Sequence, residues 1–353
     1  MRSNDDRIVY TDVLRILSMA AVMIIHITAW NINLGTEMNF RVGFCSLMMG
    51  ATRWSVPLFV MISGVFMLNP NKKFDIGRLY RNNIVRLMSA FFIWSLFYAL
   101  FENRSAVIHG SFGVIPSILS ATFIGHDQYW FILMIVGLYL VTPILRIFIS
   151  SAQKKDLEYF LIISFLFSCV FPVLQIIPQL ALINEFISRL QIMLPVGFTF
   201  YYVLGYYLSI YVVEKKTARR LIYIIGVIGI AVAAYMTYLI TAGIVIDEGN
   251  AFSYLNAAIA VTAAAAFIFG QRHFNVPVQY TKARSIIFKM ADYSFGMYLS
   301  HDLFNRIALK IEIYNKIDNS IVLLLLMLIV NFTGSFIIAA IIDRIPVARK
   351  YCM

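Results

Sequence analysis

Asp12-Val-Leu-Arg15-Ile-Leu-Ser-Met-Ala-Ala-Val-Met-Ile-Ile-His26 lies within the first long apolar stretch of the chain, Val9 to Trp30, and carries a guanidinium and an imidazole where a plain membrane anchor carries neither. On a helix Arg15 and His26 are offset by roughly 16 Å along the axis and by only about 20° around it, so they share one face. An arginine in hydrocarbon costs from about 2.5 to above 10 kcal/mol, so that face must look into protein or a polar cavity. Asp12, three residues before Arg15, is placed to pair with it and lower that cost. An ionisable pair inside a membrane is first of all a candidate functional site.

Composition points the same way. The 353 residues are 61% hydrophobic and 13% charged, with a mean hydropathy of +0.80, values that a water-soluble fold of this length does not present. Runs long enough to cross about 30 Å of hydrocarbon fall at Val9 to Trp30, Phe44 to Leu68, Ile84 to Phe101, Tyr129 to Ser150, Tyr159 to Pro178, Ile192 to Val213, Leu221 to Gly243, Phe252 to Gly270, Ile286 to Leu309 and Ser320 to Ile342. The expectation is an all-α, polytopic integral membrane protein of about ten helices, forming one domain over residues 1–353.

Cations set the orientation. With the N-terminus inside, the inner segments collect most of the 29 Lys and Arg, among them Lys72, Lys73, Arg78, Arg81 and Arg86 in one loop, whereas the outer segments hold only Arg41, Arg104, Arg189, Arg306, Lys310 and Lys316. Both termini are therefore expected in the cytoplasm. The net charge of +11 follows from topology and anionic lipid and calls for no nucleic acid. The first helix is too long and too charged for a cleaved signal peptide and stays in the mature protein. Cys45, Cys169 and Cys352 lack metal-ligand spacing, so packing is their expected role and no metal is expected. The outer segment Glu102 to Gln128 contains a partly apolar piece, Phe112 to Ile124, too short to span and expected to be re-entrant or interfacial.

Two further helices bring polar groups inward. Arg53-Trp-Ser-Val-Pro57-Leu-Phe-Val-Met-Ile-Ser63-Gly64 buries a second cation, with Pro57 able to kink the helix and Ser63-Gly64 permitting close approach of another backbone. Asp292-Tyr-Ser-Phe-Gly-Met-Tyr-Leu-Ser-His301-Asp302 places a second imidazole at a depth similar, within about two turns, to those of His26 and Arg53. His301 alone equally suits holding a carbonyl or pairing with Asp302. A histidine can take a proton from an attacking hydroxyl, and an arginine can bind phosphate or stabilise an oxyanion. The same groups also suit a proton-coupled transporter of a glycan or small molecule, or a catalytically silent scaffold.

At these residues the chain resembles the membrane acyltransferase 3 family. The match rests on Arg15 and His26, on Ser55 to Gly64, on Tyr129 to Phe131, on Gly137 to Pro143 and on Gly296 to His301. Within the family the chain looks most similar to single-domain members that O-acetylate surface polysaccharide, such as that acting on enterobacterial common antigen. The resemblance implies transfer of an acetyl group from cytoplasmic acetyl-CoA to a hydroxyl of a cell-envelope glycan or lipid-linked sugar, at the cytoplasmic membrane of a bacterium. His26 would be the base and Arg15 its partner. Arg81, Arg86 and Ser63 would serve the coenzyme, while Arg53, Trp130 and His301 would face the acceptor. The family's basic cluster after the second helix reads Asn83, Arg86 and Ser89 here, a departure that leaves Arg86 with Arg81 as its cations. The basic inner loop equally fits a positive-inside anchor, and Trp130 an interfacial belt.

Overall fold

A computed structural model describes residues 7–35, 37–174, 189–190, 196–246, 254–274 and 282–353. Among them the chain is helical, without strands. Among the described residues seven helical stretches are long and apolar enough to cross a membrane. They are α1 (Val9–Leu34), α2 (Phe40–Thr52) with α3 (Ser55–Met67) in series, α4 (Ile76–Glu102), α5 (Ile115–Ile124) with α6 (Trp130–Ser151) in series, α7 (Lys154–Leu174), α9 (Lys216–Thr241) and α13 (Ser320–Asp343). Between and after them lie α8 (Thr199–Ile210), α10 (Ala257–His273), α11 (Lys282–Ser300), α12 (Asp302–Lys310) and α14 (Pro346–Cys352). Against the expected ten or so, the three stretches that fall short coincide with α8, α10 and α11–α12, which are shorter or more polar. Parts of Tyr159 to Pro178, Ile192 to Val213 and Phe252 to Gly270 lie outside the described residues.

α1 is the hub, packing against α2, α3, α10, α11 and α13. Its apolar positions Leu14, Met19, Val22, Met23 and Ile27 are buried in the interior clusters. Around the periphery, α9 and α13 turn Leu221, Ile224, Val227, Ile329 and Ile337 outward. Such faces suit lipid, where no water competes for them.

Two expectations about helix shape change. The stretch Phe44 to Leu68 is two helices, and the break falls at Arg53-Trp54, not at a kink on Pro57. Pro57 sits in the first turn of α3, where its missing N–H would be unpaired in any case, so the break lies just ahead of it. Ile286 to Leu309 likewise parts at His301 into α11 and α12. There the Leu299 carbonyl accepts from the Tyr129 hydroxyl at 2.8 Å, fastening the end of α11 to the start of α6. The piece between α4 and α6 runs back along α4 as α5, with Phe123 against Phe92 and Gly125 close to Phe91. Phe91 lies about 16 Å from the C-terminal end of α4, so this piece runs back along its neighbour for several turns.

A close backbone approach involves Ser63-Gly64, as its small residues suggest. A Cβ on Gly64 would stand 1.9 Å from the Tyr202 carbonyl oxygen, and one on Gly205 would stand 2.1 Å from the Met61 oxygen, so α3 and α8 interlock through reciprocal glycines. Arg146 on α6 then ties down the loop after α3. Its guanidinium donates to the carbonyls of Met67 at 2.8 Å, Asn69 at 2.7 Å and Lys72 at 2.8 Å.

Gly64→Ala is expected to lower the melting temperature of the detergent-solubilised protein, since the overpacking costs about 1–3 kcal/mol. Gly137→Ala, where nothing lies within 4 Å, is expected to leave it unchanged or raise it. Arg146→Met is expected to expose the 67–75 loop to limited proteolysis and to cost about 2 kcal/mol, because it orphans carbonyls that a charged donor now satisfies.

Candidate functional site

Asp12, Arg15, Val22 and His26 recur at helical spacing on one face of α1, and all four line a cavity of about 360 Å³. The face singled out by the spacing of Arg15 and His26 thus looks into the protein. The Asp12 carboxylate lies 3.5 Å from the Arg15 guanidinium, one turn away on the same helix. Pairing within one helix reduces the cost of taking a cation out of water without closing the cavity.

The other walls come from four helices and a loop. α3 supplies Phe59, Ile62 and Ser63, and the Ser63 hydroxyl donates to the Phe59 carbonyl at 3.0 Å. α6 supplies Trp130, Phe131, Ile135 and Tyr139, and α11 supplies Asp292, Phe295 and Tyr298. α4 contributes Asn82, Asn83 and Arg86 from around a wide π turn over Tyr80–Ile84. A π turn adds one residue to the helical cycle and recurs at functional sites, because it reorients the side chains that follow.

A second cavity of about 810 Å³ adjoins the first, sharing Arg7, Asn82, Arg86 and Asp292 with it. Its remaining walls include Arg81, Arg284, Lys289, Arg349 and Lys350, against Asp343. A polyanion is the ligand such walls attract. Arg7 pairs with Asp292 at the shared rim and lies 4.6 Å above the Phe288 ring. Arg86 donates from Nε to the Met353 carbonyl at 2.6 Å.

Beyond His26 lies a dense polar cluster. The His26 and His301 rings are 5.1 Å apart between centroids. His301 and Asp302 are buried. Asp302 accepts from Trp30 Nε1 at 2.9 Å, Asn305 Nδ2 at 3.0 Å and Arg306 Nε at 3.0 Å. Arg306 also pairs with Glu102, and His126 lies between the two carboxylates, 3.7 Å from Glu102 and 3.8 Å from Asp302.

Of the residues expected from sequence, Arg15, His26, Ser63, Arg86 and Trp130 line the first cavity, and Arg81 lines the second. Arg53 does not line either; it lies 6.0 Å from the ring of Tyr254, which does. Trp130 stacks on that same Tyr254 ring at 5.3 Å. His301 sits behind His26, outside the lining residues, holding the Tyr298 carbonyl with Nδ1 at 2.8 Å. The sequence reading missed Asn82, Tyr139 and Gln128 in the cavity wall, as well as Trp30, His126 and Arg306 in the cluster. Trp30, four residues after His26 on the same helical face, was the one legible signal.

An imidazole opening on a cavity of mixed aromatic and polar walls, with cations leading to it from one side, suits proton abstraction beside a bound anionic ligand. Among the described residues no group of His, Cys, Asp and Glu gathers to hold a metal. No curated protein and no solved structure matches the chain. The acyltransferase 3 family, described as an acyltransferase domain, matches over residues 8–340. The chain belongs to that family and is a multi-pass membrane acyltransferase.

Proposed function

We propose that the protein transfers an acetyl group from acetyl-CoA to a hydroxyl of a cell-envelope polysaccharide or lipid-linked sugar, in the cytoplasmic membrane of a bacterium, with about ten helices crossing and both termini inside. The observation that carries the proposal is the rim common to the two cavities. Arg7, Asn82, Arg86 and Asp292 border both, so a basic chamber suited to the phosphates of a coenzyme leads into the chamber that holds His26.

In this reading the nucleotide end of the donor rests among Arg81, Arg86, Arg284 and Lys289, and its pantetheine arm passes Ser63 toward Arg15. His26 removes the proton from the acceptor hydroxyl as that oxygen attacks the thioester carbonyl. Arg15, facing the same cavity, bears on the carbonyl oxygen as it gains charge. The C–O bond forms, the C–S bond breaks, and the proton held by His26 passes to the departing thiolate, so the imidazole returns neutral. The acceptor sugar stacks on the aromatic wall of Trp130 and Tyr254, with Arg53 behind it. The concentration of Lys and Arg in the segments assigned to the inside supports the orientation.

His26→Ala, in cells with unchanged protein level, is expected to lower acetyl incorporation into envelope glycan by about a hundredfold to ten-thousandfold, the range a placed base supplies. Retained transfer ends the proposal. Arg86→Ala and Arg81→Ala are each expected to raise KM for acetyl-CoA by about tenfold, as loss of a charge-assisted contact does, with a smaller effect on kcat and a weaker salt dependence. Acetyl-CoA is expected to protect the purified protein against thermal unfolding. A proton-gradient requirement without acyl transfer would indicate transport instead.

A further inference from the structure

His301 lies at the junction of α11 and α12, and its surroundings limit which of its nitrogens carries the proton. Nδ1 lies 2.8 Å from the Tyr298 carbonyl oxygen, which only accepts, so Nδ1 must bear the hydrogen. Nε2 is then a bare lone pair, and it is buried without any hydrogen-bond partner in the resting arrangement. A buried acceptor left without a donor is unfavourable. The neighbouring ring, at 5.1 Å between centroids, is that of His26, and imidazoles at this separation come within N–H···N reach when a ring turns about its side-chain torsion.

The scaffold holds both rings where that contact forms. Trp30, one turn after His26 on α1, donates to Asp302 at 2.9 Å, and Asp302 directly follows His301. This bond fastens the His26 turn of α1 to the His301 junction. Asn305 and Arg306 occupy the rest of the Asp302 carboxylate, so it is held in place by donors from both sides. Tyr298, whose carbonyl sets the His301 tautomer, is itself anchored through its hydroxyl to the Gln128 carbonyl. The next carbonyl, that of Leu299, accepts from Tyr129 at 2.8 Å.

We propose that His301 is a positioning residue for acyl transfer: its Nε2 accepts the N–H of His26, fixes which His26 nitrogen faces the cavity bare, and steadies the imidazolium once that nitrogen has taken the acceptor's proton. The inference rests on His26 acting as the base. It departs from an acceptor-facing role for His301, because His301 touches the base and not the cavity. An oriented imidazole with a fixed partner is the arrangement that general-base catalysis by histidine uses.

The test compares His301→Phe, which keeps ring bulk but offers no polar atom, with His301→Gln, whose amide can both donate to Tyr298 and accept from His26. The full-length protein in lipid nanodiscs is assayed by release of coenzyme thiol from acetyl-CoA, with glycolipid extracted from host membranes as acceptor. His301→Phe is expected to lower kcat by about 10- to 100-fold, part of what a placed base contributes, with KM for donor and acceptor within about twofold of the parent. His301→Gln is expected to recover most of the loss. The proposal is overturned if His301→Phe keeps parental kcat, if the defect lies in acceptor KM, or if Gln does no better than Phe. Should the Phe variant fail to fold, ¹⁵N-histidine spectra of the parent protein decide: His301 protonated at Nδ1 is the expected state, and protonation at Nε2 overturns the proposal. Loss of transfer in His26→Ala beside unaffected His301 variants would reject this inference alone, whereas retained transfer in His26→Ala would reject the reading beneath it.

Discussion

Keeping the Arg15 guanidinium charged within the thickness of a membrane is the constraint around which the fold is arranged. Hydrocarbon cannot host it, so α1 is enclosed by α2, α3, α10, α11 and α13 and its polar stripe opens on an internal cavity. Asp12 supplies the nearest countercharge from the same helix. Asp292 on α11, bound to Arg7, extends the charge balance to the rim where the two cavities meet. A chain that met this constraint by packing alone would have filled the space beside Arg15, and no chamber would be left for a substrate.

The two cavities share a rim but differ in the groups that complete their walls. The larger is walled by Arg81, Arg86, Arg284, Lys289, Arg349 and Lys350; the smaller sets Phe59, Ile62, Ile132 and Ile135 beside Asp12, Arg15, His26 and the shared Arg7, Arg86 and Asp292. Charge attracts and retains a ligand in the first. In the second, a guanidinium, a carboxylate and an imidazole on α1 face aromatic and aliphatic side chains across the space.

What could be read from the sequence divides along a physical line. The stripe of Asp12, Arg15 and His26 was legible because helical periodicity fixes a face whatever packs against it, and Gly64 was legible because a Ser-Gly pair in an apolar helix leaves room for another backbone. The break at Arg53-Trp54 was misplaced to Pro57 because the proline at the start of α3 and one in a helix interior are identical in sequence. The shortfall in α8 and α10 arises because hydropathy counts apolar residues and does not register where a helix starts. The cluster of Trp30, His126, Asp302, Arg306 and Glu102 joins residues from distant parts of the chain. Beyond the spacing of Trp30 from His26 no local pattern announces it, and His301, expected to face the acceptor, sits behind His26.

The wide turn at Tyr80–Ile84 has a bearing on how α4 serves two environments at once. One surplus residue advances the phase of everything beyond it by about 100°. The membrane-embedded part of the helix therefore keeps its greasy side toward lipid through Phe92, Ile93, Leu96 and Leu100, while the segment at the chamber rim swings its amides and cations inward. A regular helix with the same composition would have had to choose between these orientations; the irregularity lets one rod act as both an outer stave and an inner lining.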